Sequence, residues 1–138
     1  MDEMLILIAE DDADDRFLLK NVFEENKFLD TLHFVENGVE LLNYLTQIKN
    51  ENSNKKVPRF ILLDLNMPKK DGREVLGAMQ QDTFMKNIPV VVFSTTGNET
   101  EKAKCFELGA HSYITKPVSY EGLLKTIADV RNYWYYNC

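Results

Sequence analysis

The chain has 138 residues, 44% of them hydrophobic and 28% charged, which is the composition of one soluble globular domain with a single core and no room for a second, output-type domain. Its formal charge of −6, with no clustered basic face, excludes a generic binder of nucleic-acid backbones. The apolar run from Met4 to Ala9 is too short, and too acidic in its flanks, for a signal peptide or membrane span, so the expected setting is the cytoplasm with neither membrane nor nucleic acid as a direct partner.

The elements alternate from the start. "MLILIA" (4–9) reads as a strand, and "EDDADD" then opens a helix marked by Phe17, Leu18, Val22 and Phe23, with Asp12, Asp14 and Asp15 in a first turn where acids favour the helix dipole. "TLHFVE" (31–36) is the second strand, and Asn37 caps a helix carrying Val39, Leu42, Leu45 and Ile48. The polar "KNENSNKKVPR" (49–59) reads as a long flexible loop inside the domain. "FILLD" (60–64) is a third strand, its four apolar residues buried on both faces before it ends in Asp64.

Asp71-Gly72 opens a helix with Val75, Leu76 and Met79, and "PVVVFS" (89–94) is the fourth strand. Asn98 with Glu101 three residues on resembles a capping box before Ala103 and Phe106, "HSYIT" (111–115) is a weaker fifth strand, and Ser119 caps the last helix, carrying Leu123, Leu124, Ile127 and Val130. That helix ends in Tyr133, Trp134, Tyr135 and Tyr136, which cannot all face one core stripe; an exposed aromatic cluster marks an interface, and a homodimer through this helix is expected. Cys105 and Cys138 lack metal-ligand spacing and read as free thiols, while His33 and His111 lack the partner spacing of a metal or phosphohistidine site. Five βα units in succession predict an α/β, doubly wound, five-stranded parallel sheet with helices on both faces.

In such a sheet, ligands bind beyond the carboxyl ends of the strands. Those ends carry Glu10, Asp11 and Asp12 (strand one), Asp64 (three), Ser94 (four) and Lys116-Pro117 (five). Converging carboxylates repel one another unless a cation lies among them, and a hard divalent ion such as Mg²⁺ takes oxygen ligands. Metal, lysine and hydroxyl around one rigidly held carboxylate suit phosphoryl transfer onto Asp64, a timed switch and not turnover of an external substrate. A Mg²⁺-dependent phosphatase would want a second acid where Asn66 stands, and a flavin carrier would want a phosphate-binding loop where this chain has "EDDADD".

Four motifs in register, "AEDD", "LLDLNMPKKDG", "VVVFSTTG" and "LGAHSYITKPV", resemble the receiver domains of two-component response regulators over nearly the whole chain. The resemblance implies the flavodoxin-like receiver fold with strand order 2-1-3-4-5. It also implies Asp64 as phosphoacceptor and Mg²⁺ held by Asp11, Asp64 and the Asn66 backbone carbonyl, with Glu10 acting through water. Lys116 is the implied phosphate contact, and Ser94 and Tyr113 the implied switch pair. The "LNMPKKDGREVL" run, the long loop and the "YW" near the C-terminus are most similar to single-domain regulators paired with bacterial phytochrome-type histidine kinases. The resemblance thus implies a sensor histidine kinase as phosphodonor and a histidine phosphotransfer or target protein as recipient of the signal, with no enzymatic activity beyond the chain's own phosphorylation and dephosphorylation. One departure is Thr95, at a position that is usually small. With Thr96 it borders the entry to Asp64, and its β-branch is expected to slow both loading by small phosphodonors and loss of phosphate.

Overall fold

The computed structural model describes residues 3–51 and 57–137. Cys138 and residues 52–56 of the expected 49–59 loop lie outside them. The elements run β1 (Leu5–Ala9), α1 (Ala13–Glu25), β2 (Thr31–Val35), α2 (Gly38–Glu51), β3 (Phe60–Leu63), α3 (Gly72–Gln80), a 3-10 turn (Met85–Asn87), β4 (Val90–Ser94), α4 (Glu99–Glu107), β5 (Ser112–Thr115) and α5 (Tyr120–Tyr136). All neighbouring strands pair in parallel, in the order β2-β1-β3-β4-β5. This is the expected sheet, although residues 49–51, read as loop, form the last residues of α2.

The period-two alternation of the strands divides the core. Ile6, Ile8, Phe60, Leu62, Val91 and Phe93 pack beneath α1 and α5, and Leu7, Ala9, Ile61, Leu63, Val90 and Val92 pack beneath α2 and α3 on the other face. Both faces of β1, β3 and β4 are therefore buried, which is why these strands read as unbroken apolar runs.

Most predicted caps form. Asn37 Oδ1 accepts from the Glu40 N–H at 2.9 Å, Asp71 and Glu74 close a capping box, and Ser119 Oγ accepts from the Gly122 N–H at 3.0 Å. Asp12 is the N-cap of α1 rather than a first-turn residue, accepting from the N–H groups of Asp14 and Asp15. The predicted box at α4 is only half made. Asn98 accepts from the Glu101 N–H, but the Glu101 carboxylate turns to Arg73 on α3, 2.6 Å away, because an ion pair outweighs a neutral backbone donor.

The buried stripe of α1 is Leu19, Val22 and Phe23, leaving Phe17 67% exposed and Leu18 37% exposed, so the helix is rotated from the expected face. In α5 the buried residues are Leu123, Ile127 and Arg131. Arg131 was not foreseen as a core residue; its guanidinium is bidentate on Asp30 (2.8 and 3.0 Å) and lies over the rings of Phe28 and Tyr135. Of the four terminal aromatics, Trp134 and Tyr135 pack on the α1/α5 core, while Tyr133 and Tyr136 are exposed.

Gly38 opens α2 where the chain runs against the loop following β3. Lys69 and Lys70 both take positive φ (56° and 94°), a strained conformation for residues with a Cβ, and fold that loop back. A Cβ at Gly38 would strike the Lys70 carbonyl oxygen and come within 2.7 Å of Val75 Cγ2. Alanine normally favours a helix over glycine by about 1 kcal/mol, yet Gly38→Ala is expected to destabilise the domain by about 1–3 kcal/mol, because the obstacle is backbone. Urea unfolding of the two proteins measures the sign.

His111 precedes β5 and bonds to the start of β4. Its Nδ1 accepts the Val90 N–H at 3.2 Å, so the neutral ring carries its proton on Nε2, and its edge meets the ring of Trp134 at 6.0 Å. Burial lowers its pKa below the ordinary 6.5. Between the two values the unfolded chain binds more protons, so the His111 contribution to stability is full above pH 6.5 and falls as pH drops toward the folded pKa. Fluorescence of Trp134, the single tryptophan, should be quenched over the same acid window as the imidazolium forms, and the quenching should vanish in His111→Gln.

Candidate functional site

Every strand of a parallel sheet ends at the same edge, and here the chain reverses its winding between β1 and β3, leaving a crevice at their carboxyl ends. Glu10 and Asp11 leave β1 into this crevice and Asp64 leaves β3 beside them. One carboxylate oxygen from each lies within 4.8 Å of the others. Glu10 is 2% and Asp64 9% exposed, whereas Asp11 faces solvent.

Glu10 is partnered at every polar group. Its N–H donates to the Val35 carbonyl (3.0 Å), its carbonyl accepts from Arg16 Nη1 (2.9 Å), Oε2 accepts from the Asp12 N–H (3.2 Å) and Oε1 from Lys116 Nζ (3.0 Å). Burial nevertheless pushes its pKa up to about 7, with the Asp64 charge adding to the rise and Lys116 opposing it. Three carboxylates, Glu10, Asp11 and Asp64, converge here with Lys116 close to two of them. The donors are all hard oxygens, so the residues present fit a divalent cation of the Mg²⁺ or Mn²⁺ type.

Asp64 is held by its N–H to the Ala9 carbonyl (3.1 Å), and its Oδ1 accepts the Asn66 N–H (3.2 Å). Lys116 Nζ stands 4.0 Å from Asp64 and 3.9 Å from Asp15, over the ring of Phe93. Burial opposes its charge, but the Glu10 hydrogen bond and the Asp64, Glu10 and Asp15 charges outweigh that and raise its pKa. Ser94 is fully buried at the end of β4, and its carbonyl accepts the Lys116 N–H at 2.7 Å, tying β4 and β5 together at the site. Its Oγ accepts the Thr96 N–H (3.3 Å), while the Tyr113 hydroxyl donates to the Thr96 carbonyl (2.8 Å). The fold thus joins Ser94, Thr96 and Tyr113 in one chain of contacts, with Thr95 and Thr96 exposed at the rim.

Beside Lys116, a cleft of about 90 Å³ runs between α1 and α5, lined by Leu18, Leu19, Phe93, Pro117 and Leu123 as well as Glu10 and Asp15. That is far smaller than the ~300–1,000 Å³ of small-molecule pockets, which argues against an organic substrate there. Sequence reasoning missed Arg16. The available signal was a basic residue early in a helix whose first turn otherwise holds acids, where the dipole disfavours it.

The model of the response regulator receiver domain matches residues 6–128. The chain belongs to this family. Receivers of this kind are signalling proteins of two-component systems that partner with histidine kinases and bind divalent metal. Among its relatives, the response regulator Rcp1 of Synechocystis is 36% identical over 94% of this chain and 88% of its own. The probable methanogenesis regulatory protein FilR2 of Methanothrix harundinacea is 32% identical over 96% of this chain and 84% of its own. The phosphorylated cyanobacterial phytochrome response regulator RcpA superposes with a TM-score of 0.86 at 33% identity, covering 99% of this chain and 97% of its own. The Mn²⁺-bound form of Rcp1 superposes at 0.81, covering 95% of this receiver and 94% of its own chain. Among the described residues, no helix is long and apolar enough to cross a membrane.

Proposed function

We propose that this receiver takes a phosphoryl group from the phosphohistidine of a sensor kinase onto Asp64, and that Mg²⁺ is the working metal. The observation that carries the reading is the meeting of Asp64 with Glu10, Asp11 and Lys116 at one edge of the sheet. An Asp64 carboxylate oxygen attacks phosphorus as the bond to the histidine nitrogen breaks, giving an acyl phosphate; water attacking the same phosphorus later releases inorganic phosphate and restores the carboxylate. Asp11, Asp64 and the Asn66 carbonyl would hold Mg²⁺, with Glu10 acting through water, and the bound ion would supply positive charge to the transferring oxygens. Lys116 leans toward a phosphoryl oxygen, exchanging part of its contact with Glu10.

Ser94 then turns its hydroxyl to the phosphoryl group, and the change passes through Thr96 to Tyr113, whose ring is half-buried against the core. The output is a protein contact or onward transfer to a histidine phosphotransfer protein in the cytoplasm. A homodimer through the exposed Tyr133 and Tyr136 is the favoured assembly. The naming of RcpA as a phytochrome response regulator supports a phytochrome-type kinase as the donor.

Intact-protein mass after incubation with acetyl phosphate, with and without Mg²⁺, tests the reading: a metal-dependent gain of one phosphoryl group is expected, with a shift on a parallel sizing column. A folded, metal-binding protein that gains no mass from acetyl phosphate or from a phosphorylated kinase would overturn it. Thr95→Ala is expected to speed both loading and loss about tenfold; unchanged rates would remove Thr95 as the screen.

A further inference from the structure

The turn between β1 and α1 carries Glu10 and Asp11, so the reach of both carboxylates depends on how its backbone is held. One bond ties Glu10 to the end of β2 and a second ties it to α1. Its N–H donates to the Val35 carbonyl at 3.0 Å, and its carbonyl accepts from Arg16 Nη1 at 2.9 Å, the same nitrogen lying 3.8 Å from Glu36, the residue after β2. The Glu36 backbone is held, its N–H donating to Glu40 Oε1 at 2.9 Å, while its carboxylate is 60% exposed. Because a peptide is planar, anchoring the Glu10 carbonyl also sets the plane that carries Asp11 N and Cα. Arg16 is 21% exposed and half-buried in this role, although it faces the unfavourable end of the α1 dipole.

We propose that Arg16 is a positioning residue for the divalent-cation site, holding the Asp11 carboxylate within reach of Asp64 through the Glu10 carbonyl. The inference rests on the reading that Glu10, Asp11 and Asp64 hold the metal. Two effects of opposite sign are separable. As a nearby cation, Arg16 repels the metal, so its removal would tighten binding; as a brace, its removal loosens binding. Glu36 offsets its charge, whereas no other side chain among the described residues bonds the Glu10 carbonyl, so the bracing effect prevails.

The test is Mn²⁺ binding by electron paramagnetic resonance, with Mg²⁺ in competition, on wild type, Arg16→Met, Arg16→Lys, Glu36→Gln and the Arg16→Met/Glu36→Gln double variant. All are measured at a temperature where circular dichroism shows each fully folded. Arg16→Met should weaken binding about tenfold, the usual scale for a group that orients metal ligands. Arg16→Lys, which keeps a donor, should recover most of the loss, and the double variant, whose net charge equals that of wild type, should still bind several-fold more weakly than wild type. Equal or tighter binding by folded Arg16→Met would overturn the proposal while leaving the metal site standing. If wild type bound no Mn²⁺, or bound it as well after Asp11→Asn, the metal reading itself would fail and this inference with it.

Discussion

An Asp64→Asn variant will gain no mass from acetyl phosphate at any Mg²⁺ concentration, and in metal-free buffer it will be more stable than the native protein. The amide keeps an oxygen for the Asn66 N–H, so the local turn persists. What disappears is the proposed nucleophile and one negative charge in the group with Glu10 and Asp11, two repulsions against one attraction to Lys116. Charges this close interact by a few kcal/mol at an effective dielectric near 20, so a net gain of about 1 kcal/mol is expected. Adding Mg²⁺ should reverse the order, since a ligand that binds only the folded native site stabilises it by mass action. Denaturant midpoints with and without Mg²⁺ check this. Phosphoryl uptake by Asp64→Asn would move the acceptor elsewhere, and lower stability in metal-free buffer would show that the acids are not in conflict.

Arg131→Met should have the largest effect on stability in the molecule. The Asp30 side chain is wholly inaccessible to solvent and meets two guanidinium bonds and the Met4 N–H. Removing the arginine strands a buried carboxylate, which costs about 3–5 kcal/mol, or roughly 10–20 °C in Tm for a chain of this size. Adding Asp30→Asn to Arg131→Met should recover much of the loss, because the pair is expensive to break and cheap to replace. Thermal unfolding of the single and double variants gives the comparison. A single variant within about 1 kcal/mol of the native protein would show that Asp30 finds water or another partner.

The strand starts, the helix caps and the order of chemical groups along the chain were legible in the sequence because they depend on short-range rules. An unbroken apolar run such as "FILL", an asparagine or aspartate before a helix, and an acid after such a run each involve neighbours within a few residues. The convergence of Glu10, Asp11, Asp64 and Lys116 at one edge was legible for a related reason: parallel strands deliver their ends to one edge whatever the details of packing. The rotation of α1 was less legible, since Phe17, Leu18, Leu19, Val22 and Phe23 allow two overlapping apolar faces and only packing against the sheet and α5 selects between them.

What the sequence determined by itself was therefore the alternation of elements, the sheet and the identity of the groups at its edge. What the tertiary structure decided was the pairing of distant charges. Arg131 meets Asp30 across 101 positions and Lys116 meets Glu10 across 106, and Glu101 abandons its own helix cap for Arg73. The physical reason is that periodicity and capping are local, whereas the strength of a charge pair depends on burial and distance, which exist only after the chain has folded.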